Sequence, residues 1–511
     1  MDWSGCGTRT AGSENHRTRQ QEITSTEPDI RPFMRIFTYI LLTFILSASA
    51  GAQSFSELLS RVTSAPANRQ QYLVDSFLTD ISSFPIVEND SVVYLLYQGE
   101  AEKVLVASDA NAWSNTRSPL TRLASTNLWY REETFEADAR IDYKFIIGEQ
   151  WILDPKNPLT APSGYGPNSE LRMPAYEPPE EILMSNSVAH GEMRIRSFHS
   201  SILNNTRQAS IYLPAGYHQS GERYPLVLFH DGLDYLNLGN AANVLDNLIA
   251  DRRIPPVIAV FLPAVNRTEE YAGSQIGLYS DFVVNTVLAS IDNEFRTRTD
   301  SGSRAVIGAS NGGHLALYQG MLYPGTLGHV GAQSTNVTPL LIQGYTAASS
   351  TSGTIYLDVG TYDIELIITR VNSFRPILQN GGYDFTYREF HEGHSWGSWR
   401  ARIDDMLEYF FGNLVNVHDH RTVPSRAILL HPPAPNPARD HATLMAEVQH
   451  PQRLRLSLFD TRGRYLKNLW SGHCASGTRS FDIDTHSLAP GMYILSLDSP
   501  AGRSTQRLLI R

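Results

Sequence analysis

Short apolar runs separated by longer mixed segments occupy the middle of the chain. Residues 225–229, 304–307 and 354–359 are mostly aliphatic or β-branched, and each run is followed within three residues by a glycine. Runs of this length predict buried strands, and the segments between them are long enough for helices. We therefore expect residues 197–415 to form an α/β domain.

The two flanks of this domain carry a different pattern. Between residues 87 and 174, strand-like runs alternate with turns, and no long segment with a 3.6-residue period interrupts them. Residues 427–511 alternate apolar and polar positions with a period of two. Both patterns predict small all-β, immunoglobulin-like sandwiches. The predicted fold class is therefore α/β, with a central catalytic domain between two sandwiches, and the length of 511 residues agrees with three domains.

Two connecting segments and an N-terminal region complete the predicted organisation. Residues 53–86 are predicted to be a helical or linker segment, and residues 175–196 a linker that begins in a Pro-rich stretch. Residues 34–52 combine one arginine, a short apolar core and small residues, which is typical of a signal peptide. This core is too short for a membrane-spanning helix of about 20 residues, so we expect no transmembrane span in the mature chain.

Polar sequence precedes the predicted signal peptide. We expect Met34 to be the true start and residues 1–33 to be an over-extended gene prediction. The alternative is that residues 34–52 form an amphitropic N-terminal anchor.

Charge and cysteine content exclude some classes of partner. The net charge of −10 disfavours a nucleic-acid partner, because binding phosphates requires a basic surface. The two cysteines are Cys6 and Cys474, so a mature chain that begins after residue 52 could form no internal disulfide. The sequence holds no Cys/His cluster with zinc spacing, and we expect no metal or other cofactor.

Gly308-Ala-Ser-Asn-Gly312 lies between a predicted strand and a predicted helix. A serine in such a sharp turn needs small residues two positions before and after it, so that the strand and the helix can pass closely. Ser310 is therefore the predicted nucleophile. A G-x-S-x-G sequence alone is weak evidence in a chain with 36 glycines.

The predicted acid is Asp363. It follows the apolar run 354–359 in the turn Gly-Thr-Tyr-Asp, just beyond the strand. A carboxylate at this place in chain order matches the Ser, Asp, His order of α/β-hydrolase triads. Asp358 lies inside the predicted strand and Glu365 enters the next helix, so both are weaker candidates.

The predicted base is His394. It follows Gly393 in the loop after the last predicted strand, 84 residues beyond Ser310. His391 is the rival, predicted to be a strand-end residue. An imidazole removes the serine proton, and the carboxylate fixes the imidazole tautomer and stabilises its cation.

An acyl-transfer site also needs donors for the oxyanion. We expect the backbone N–H groups of Asn311 and Leu233 to provide them, with Gly232 as an alternative to Leu233. His230 and Asp231 beside them are predicted to brace the loop.

Three further side chains are candidates for substrate contact. Arg267 and Glu270 could line the site or could form an ion pair within their own loop. Trp396 could wall an acyl pocket or anchor the final helix, and the anchoring role is predicted for Trp399.

Residues 197–412 resemble the esterase D and enterochelin esterase branch of the α/β-hydrolases, which includes feruloyl and acetyl-xylan esterases. Five spaced motifs carry the resemblance besides the Ser310 elbow: 211–217, 229–232, 266–271, 360–363, and 393–396 with Trp399. One departure is 285–289, where the family commonly has a Glu-Leu-Leu-Pro run. That helix is structural, so the departure does not bear on catalysis.

The flanking domains have resemblances of their own. Residues 87–174 resemble the early-set sandwich that precedes enterochelin esterases, which binds α-glucan in some relatives. For Trp113 and Trp129 in this domain, core packing is favoured over glycan contact. Residues 427–511 resemble the C-terminal sorting domain of type IX secretion cargo, which implies the outer-membrane export machinery as a partner. A stability module of the same shape is the alternative.

Together these features predict a secreted or cell-surface serine carboxylic-ester hydrolase that works through an acyl-enzyme. An extracellular location favours carbohydrate-linked acyl or feruloyl esters as substrates. A siderophore esterase of the enterochelin type and an acyltransferase are alternatives from the same fold. An alternative of another class is a non-catalytic, glycan-binding surface protein.

Overall fold

A computed structural model describes residues 54–348, 353–412, 428–448, 452–460, 465–486, 488–499 and 502–511. The extension and the signal peptide predicted for residues 1–52 lie outside the described residues. Among the described residues, no helix is long and apolar enough to cross a membrane.

Two helices and a sandwich form the N-terminal part. Helices α1 (Phe55–Ser64) and α2 (Ala67–Asp80) pack on the sheet through Phe55, which contacts Phe77, Tyr94 and Tyr130. The strands are β1 (Ile86–Glu88), β2 (Val92–Gln98), β3 (Val104–Ser108), β4 (Thr121–Arg122), β5 (Leu128–Thr134), β6 (Arg140–Ile147), β7 (Gln150–Ile152), β8 (Thr160–Ala161) and β9 (Asn168–Arg172). One sheet has the order β1-β2-β5-β4 and the other β3-β6-β9-β8, with β7 paired to β6.

An eight-stranded sheet organises the central domain. Its strands are β10 (Glu192–Ser200), β11 (Asn205–Leu213), β12 (Leu226–His230), β13 (Ile258–Leu262), β14 (Arg304–Ala309), β15 (His329–Gln333), β16 (Thr354–Tyr362) and β17 (Asp384–Gly393). They lie in the order β10-β11-β13-β12-β14-β15-β16-β17. The first two strands are antiparallel to their neighbours, whereas β12 to β17 are parallel.

Helices cover both faces of this sheet. They are α3 (Gly232–Asn237), α4 (Ala241–Ala250), α5 (Arg267–Tyr271), α6 (Ile276–Phe282), α7 (Ala289–Glu294), α8 (Asn311–Leu322), α9 (Pro339–Ala347), α10 (Glu365–Asn380), α11 (Trp396–Arg400) and α12 (Ile403–Phe411). Strand β12 is buried along its whole length. Its Leu226 and Leu228 belong to the core on one face, and Val227 and Phe229 to the core on the other. Strands buried on both faces are apolar throughout, which is why these runs do not alternate.

The C-terminal part is a second pair of sheets. The strands are β18 (Ile428–Leu430), β19 (His441–Val448), β20 (Gln452–Asp460), β21 (Tyr465–Cys474), β22 (Gly477–Asp484), β23 (Gly491–Ser499) and β24 (Gly502–Ile510). The sheet orders are β18-β19-β22 and β21-β20-β23-β24. In β19 alternate residues are buried, as the period of two predicts. The mixed architecture confirms the predicted fold class, whereas the domain boundaries stay predictions.

Candidate active site

Ser310 lies in a sharp turn between β14 and α8. Its backbone has φ 56° and ψ −119°, a conformation that residues with a side chain rarely adopt. A Cβ on Gly308 would lie 2.2 Å from the backbone carbonyl of Gly312, so no larger residue fits at 308 without movement of the backbone. The turn places the Ser310 hydroxyl at the carboxyl edge of the parallel strands, where open α/β sheets bind their ligands.

The structure brings Ser310, His394 and Asp363 into one hydrogen-bonded row. Ser310 Oγ lies 3.0 Å from His394 Nε2, and His394 Nδ1 lies 2.7 Å from Asp363 Oδ1. A carboxylate only accepts hydrogen bonds, so the imidazole proton belongs on Nδ1 and leaves Nε2 to accept from the serine. The Asp363 side chain is fully buried and that of His394 is 18% exposed, so the base remains accessible from the site.

The three rival residues lie elsewhere. Asp358 accepts a hydrogen bond from the backbone N–H of Ser334 at 3.0 Å. Glu365 is exposed in the first turn of α10, and His391 lies 2.6 Å from Asp138 of the N-terminal sandwich.

Both predicted oxyanion donors begin helices. Asn311 is the first residue of α8 and Leu233 is the second residue of α3, and amides in the first turn of a helix have no intrahelical acceptor. A Cβ on Gly232 would lie 2.2 Å from the backbone of Phe261, so α3 starts in close contact with β13. The assignment of Leu233 rather than Gly232 stays a prediction.

Arg267 and Glu270 do not form the ion pair considered for their loop. Arg267 instead donates three hydrogen bonds to the Asp231 carboxylate, at 2.7 to 3.0 Å, and it also donates to the Ala309 carbonyl at 3.3 Å. Glu270 is buried and accepts two hydrogen bonds from Arg207, at 2.8 and 2.9 Å. The Glu270 carboxylate is therefore committed to an ion pair in the core, whereas Arg267 remains 41% exposed beside the nucleophile turn.

The two tryptophans are both buried. Trp396 makes edge contacts with Tyr235 and Trp399, at ring distances of 5.0 and 5.1 Å, which is an anchoring environment. Trp399 also packs against the His394 ring at 4.9 Å, and it donates from Nε1 to Ser334 Oγ. Its contact with the base was not predicted from the sequence.

Asn336 is a second residue that the motifs did not reveal. Its N–H donates to the Ser310 carbonyl at 3.3 Å, and its side chain donates to Asn311 Oδ1 at 2.9 Å. Arg370 donates to Asn336 Oδ1 in turn. Its position in the sequence could have indicated it, because Asn336 belongs to a polar segment that directly follows β15 at the carboxyl edge of the sheet.

Burial shifts the titration of two groups around the row. Burial lowers the pKa of His230 to about 3, so this histidine is neutral, and its Nε2 lies 2.8 Å from Gln319 Oε1. Burial also raises the pKa of Asp358 to about 7, although the hydrogen bond from the Ser334 N–H acts to lower this pKa. Among the described residues, no group of three or more His, Cys, Asp or Glu side chains could hold a metal ion.

Comparison with known proteins identifies two parts of the chain. Residues 200–410 match the esterase family model, and residues 434–511 match that of the secretion system C-terminal sorting domain. The central domain is an esterase domain. The chain is therefore an ester hydrolase that carries a sorting domain for secretion or cell-surface export.

Relatives of this chain differ in how much of it they match. The uncharacterized protein YjcH of Bacillus subtilis is 24% identical over 234 residues, 43% of this chain and 97% of that protein. An endo-1,4-beta-xylanase/feruloyl esterase of Xylanibacter ruminicola is 30% identical over 140 residues, 25% of this chain but 19% of that longer protein. The enterobactin esterase of Shigella flexneri has a TM-score of 0.56 at 20% identity, covering 66% of this chain and 97% of its own. This last likeness shows a shared fold.

Asp358 should make stability depend on pH. The folded protein holds the Asp358 proton up to about pH 7, whereas an unfolded chain loses it near the ordinary value of 3.8. The contribution of Asp358 is thus fully present below about pH 4 and is lost as the pH rises through 7, at a cost of roughly 2–4 kcal/mol. We expect Asp358→Asn to reduce the fall in Tm between pH 5 and pH 8, measured by calorimetry. An equal fall in wild type and variant would contradict this assignment, and Asp80→Asn on the exposed surface is the control.

Proposed function

We propose that this ester hydrolase is a secreted serine esterase that forms an acyl-enzyme on Ser310. The observation that carries the proposal is the hydrogen-bonded row from Ser310 through His394 to the buried Asp363. A row of this kind makes a serine hydroxyl nucleophilic at neutral pH.

In the first half of the proposed reaction, Ser310 Oγ attacks the carbonyl carbon of the ester while His394 Nε2 takes its proton. Asp363 holds the imidazole in the required tautomer and stabilises the imidazolium. The negative charge on the carbonyl oxygen is bound by the N–H groups of Asn311 and Leu233. When the tetrahedral intermediate collapses, the C–O bond to the alcohol breaks and His394 returns the proton to the leaving oxygen.

In the second half, water replaces the alcohol. The water oxygen attacks the acyl carbon while His394 accepts a proton from the water. His394 then gives that proton to Ser310 Oγ as the bond between Oγ and the acyl carbon breaks. The acid is released and the row is restored. The half-exposed Arg267 lies beside the nucleophile turn and is the proposed contact for a polar part of the substrate.

The proposed substrates are carbohydrate-linked acyl or feruloyl esters. Two observations support this class. The match of residues 434–511 to a secretion sorting domain supports export through the type IX machinery, and hence an extracellular substrate. One relative, matched over 25% of this chain, is named an endo-1,4-beta-xylanase/feruloyl esterase.

Replacing triad members tests the mechanism. We expect Ser310→Ala and His394→Ala to reduce kcat on a p-nitrophenyl ester at least ~10³-fold, because the nucleophile and its base act as a unit. The rate of p-nitrophenol release by protein lacking residues 1–52 measures this. His391→Ala is the matched control, since this histidine lies nearby but pairs with Asp138, and it should stay within about twofold of wild type. An unchanged rate in Ser310→Ala would refute the assignment.

A substrate panel tests the substrate class. The proposal predicts a kcat/KM on feruloylated or acetylated xylan fragments at least about tenfold above that on a catecholate ester of the siderophore type, a difference of about 1.4 kcal/mol in transition-state binding. Comparable or reversed values would favour the siderophore esterase. If wild type and Ser310→Ala were both retained on xylan and neither hydrolysed any ester of the panel, the glycan-binding alternative would be favoured.

A further inference from the structure

The N-terminal sandwich contacts both loops that carry the acid and the base. On the acid side, Tyr362 directly precedes Asp363, and its ring packs edge-on against Phe135 of the sandwich at 5.5 Å. The Tyr362 hydroxyl also donates to Glu136 at 2.7 Å. On the base side, a Cβ on Gly393 would lie 2.0 Å from the Asp109 carboxyl carbon, so the sandwich touches the backbone directly before His394.

A third contact, on the far side of His394, comes from Arg140. This arginine begins β6 and is completely buried, and its Nη1 lies 3.4 Å from the hydroxyl of Ser395, the residue after His394. A Cβ on Gly397 would lie 1.8 Å from Arg140 Nη2, so the guanidinium fills the space that a side chain at 397 would need. The Arg140 side chain of the sandwich therefore packs against the residues that directly follow His394.

Other residues of the sandwich fix the Arg140 guanidinium. Nε donates to Glu170 and Nη2 to Asp142, both at 2.5 Å. Asn168 donates to the second oxygen of Asp142 at 3.1 Å, and Arg172 to the second oxygen of Glu170 at 2.7 Å. The fork of the guanidinium thus has a single orientation, and its remaining nitrogen is directed at the His394 loop.

Such a cluster is costly as a mere source of stability. Removing charged groups from water carries a penalty of several kcal/mol per ion, and well-packed apolar residues often stabilise a core equally well. A buried arginine with two carboxylates does what an apolar side chain cannot, because it holds a directed donor at a fixed point. That point is the loop of the catalytic base.

We propose that Arg140 is a positioning residue for His394, so that the N-terminal sandwich is part of the catalytic apparatus rather than only an accessory domain. The proposal rests on the proposed function, since it assumes that His394 is the base. Arg140 acts through Ser395 and Gly397, which hold the loop in the register that keeps the imidazole between Ser310 and Asp363.

Arg140→Lys tests the proposal. A single ammonium group cannot satisfy both carboxylates and still reach Ser395, so we expect kcat to fall at least about tenfold while KM changes less than about twofold. The control is Arg253→Lys. Arg253 is also a largely buried arginine, and it pairs with the carboxylates of Glu181, Asp404 and Glu408. It precedes β13, however, and so lies at the amino ends of the parallel strands, away from the candidate site. We expect Arg253→Lys to lower Tm about as much as Arg140→Lys does but to leave kcat unchanged. Equal effects of the two variants on kcat would show that Arg140 is only structural.

A spectroscopic readout separates this proposal from the proposed function. The proton between His394 Nδ1 and Asp363 Oδ1 should give a low-field proton NMR signal that Arg140→Lys shifts or broadens and that Arg253→Lys preserves. This signal needs no turnover, so it judges the positioning role even if Ser310→Ala shows that the proposed function is wrong. A signal that is identical in wild type and Arg140→Lys would overturn the proposal.

Ser395→Ala provides a second variant in case Arg140→Lys does not fold. It leaves the sandwich intact, and Ser395 makes no side-chain cap bond to α11, so the substitution removes only the acceptor for Arg140. We expect kcat to fall about threefold, with the same direction of change in the low-field signal. An unchanged kcat and an unchanged signal would refute the role of this contact.

Discussion

The close approach of β14 and α8 is the constraint on which the candidate site depends. Gly308 and Gly312 let the strand pass directly into the helix, and the residue between them is forced to a positive φ. Because of that turn, the Ser310 hydroxyl stands clear of the sheet and the first amides of α8 are free to bind an anion. A nucleophile and an oxyanion donor therefore come from one backbone feature.

The rest of the site is assembled at the same edge of the sheet. Parallel strands β12, β15, β16 and β17 end there, and their loops bring the α3 amides, Asn336, Asp363 and His394 around Ser310. Ion pairs behind this edge hold the loops. Asp231 binds Arg267, and Arg207 of β11 binds Glu270, so two ion pairs hold helix α5 against β11 and the turn after β12.

The sequence allowed the fold class and the three members of the row to be predicted, because each depends on local pattern. Ser310 and Asp363 follow apolar strands, His394 follows the last predicted strand, and a glycine precedes each of them within three residues. The partners of Arg267 and Glu270 could not be predicted, since they lie 36 and 63 residues away and depend on how loops pack. Arg140 lies 255 residues before Ser395, and nothing local in β6 reveals that contact.

The central claim is that Ser310 becomes acylated during turnover. Intact-mass measurement of the protein after brief exposure to a slowly hydrolysed ester, followed by peptide mapping, tests it most directly. The account predicts a mass increase of one acyl group, located on the peptide that contains Ser310 and lost as the enzyme recovers activity. Hydrolysis of the ester with no adduct, or with the adduct on another residue, would contradict the account.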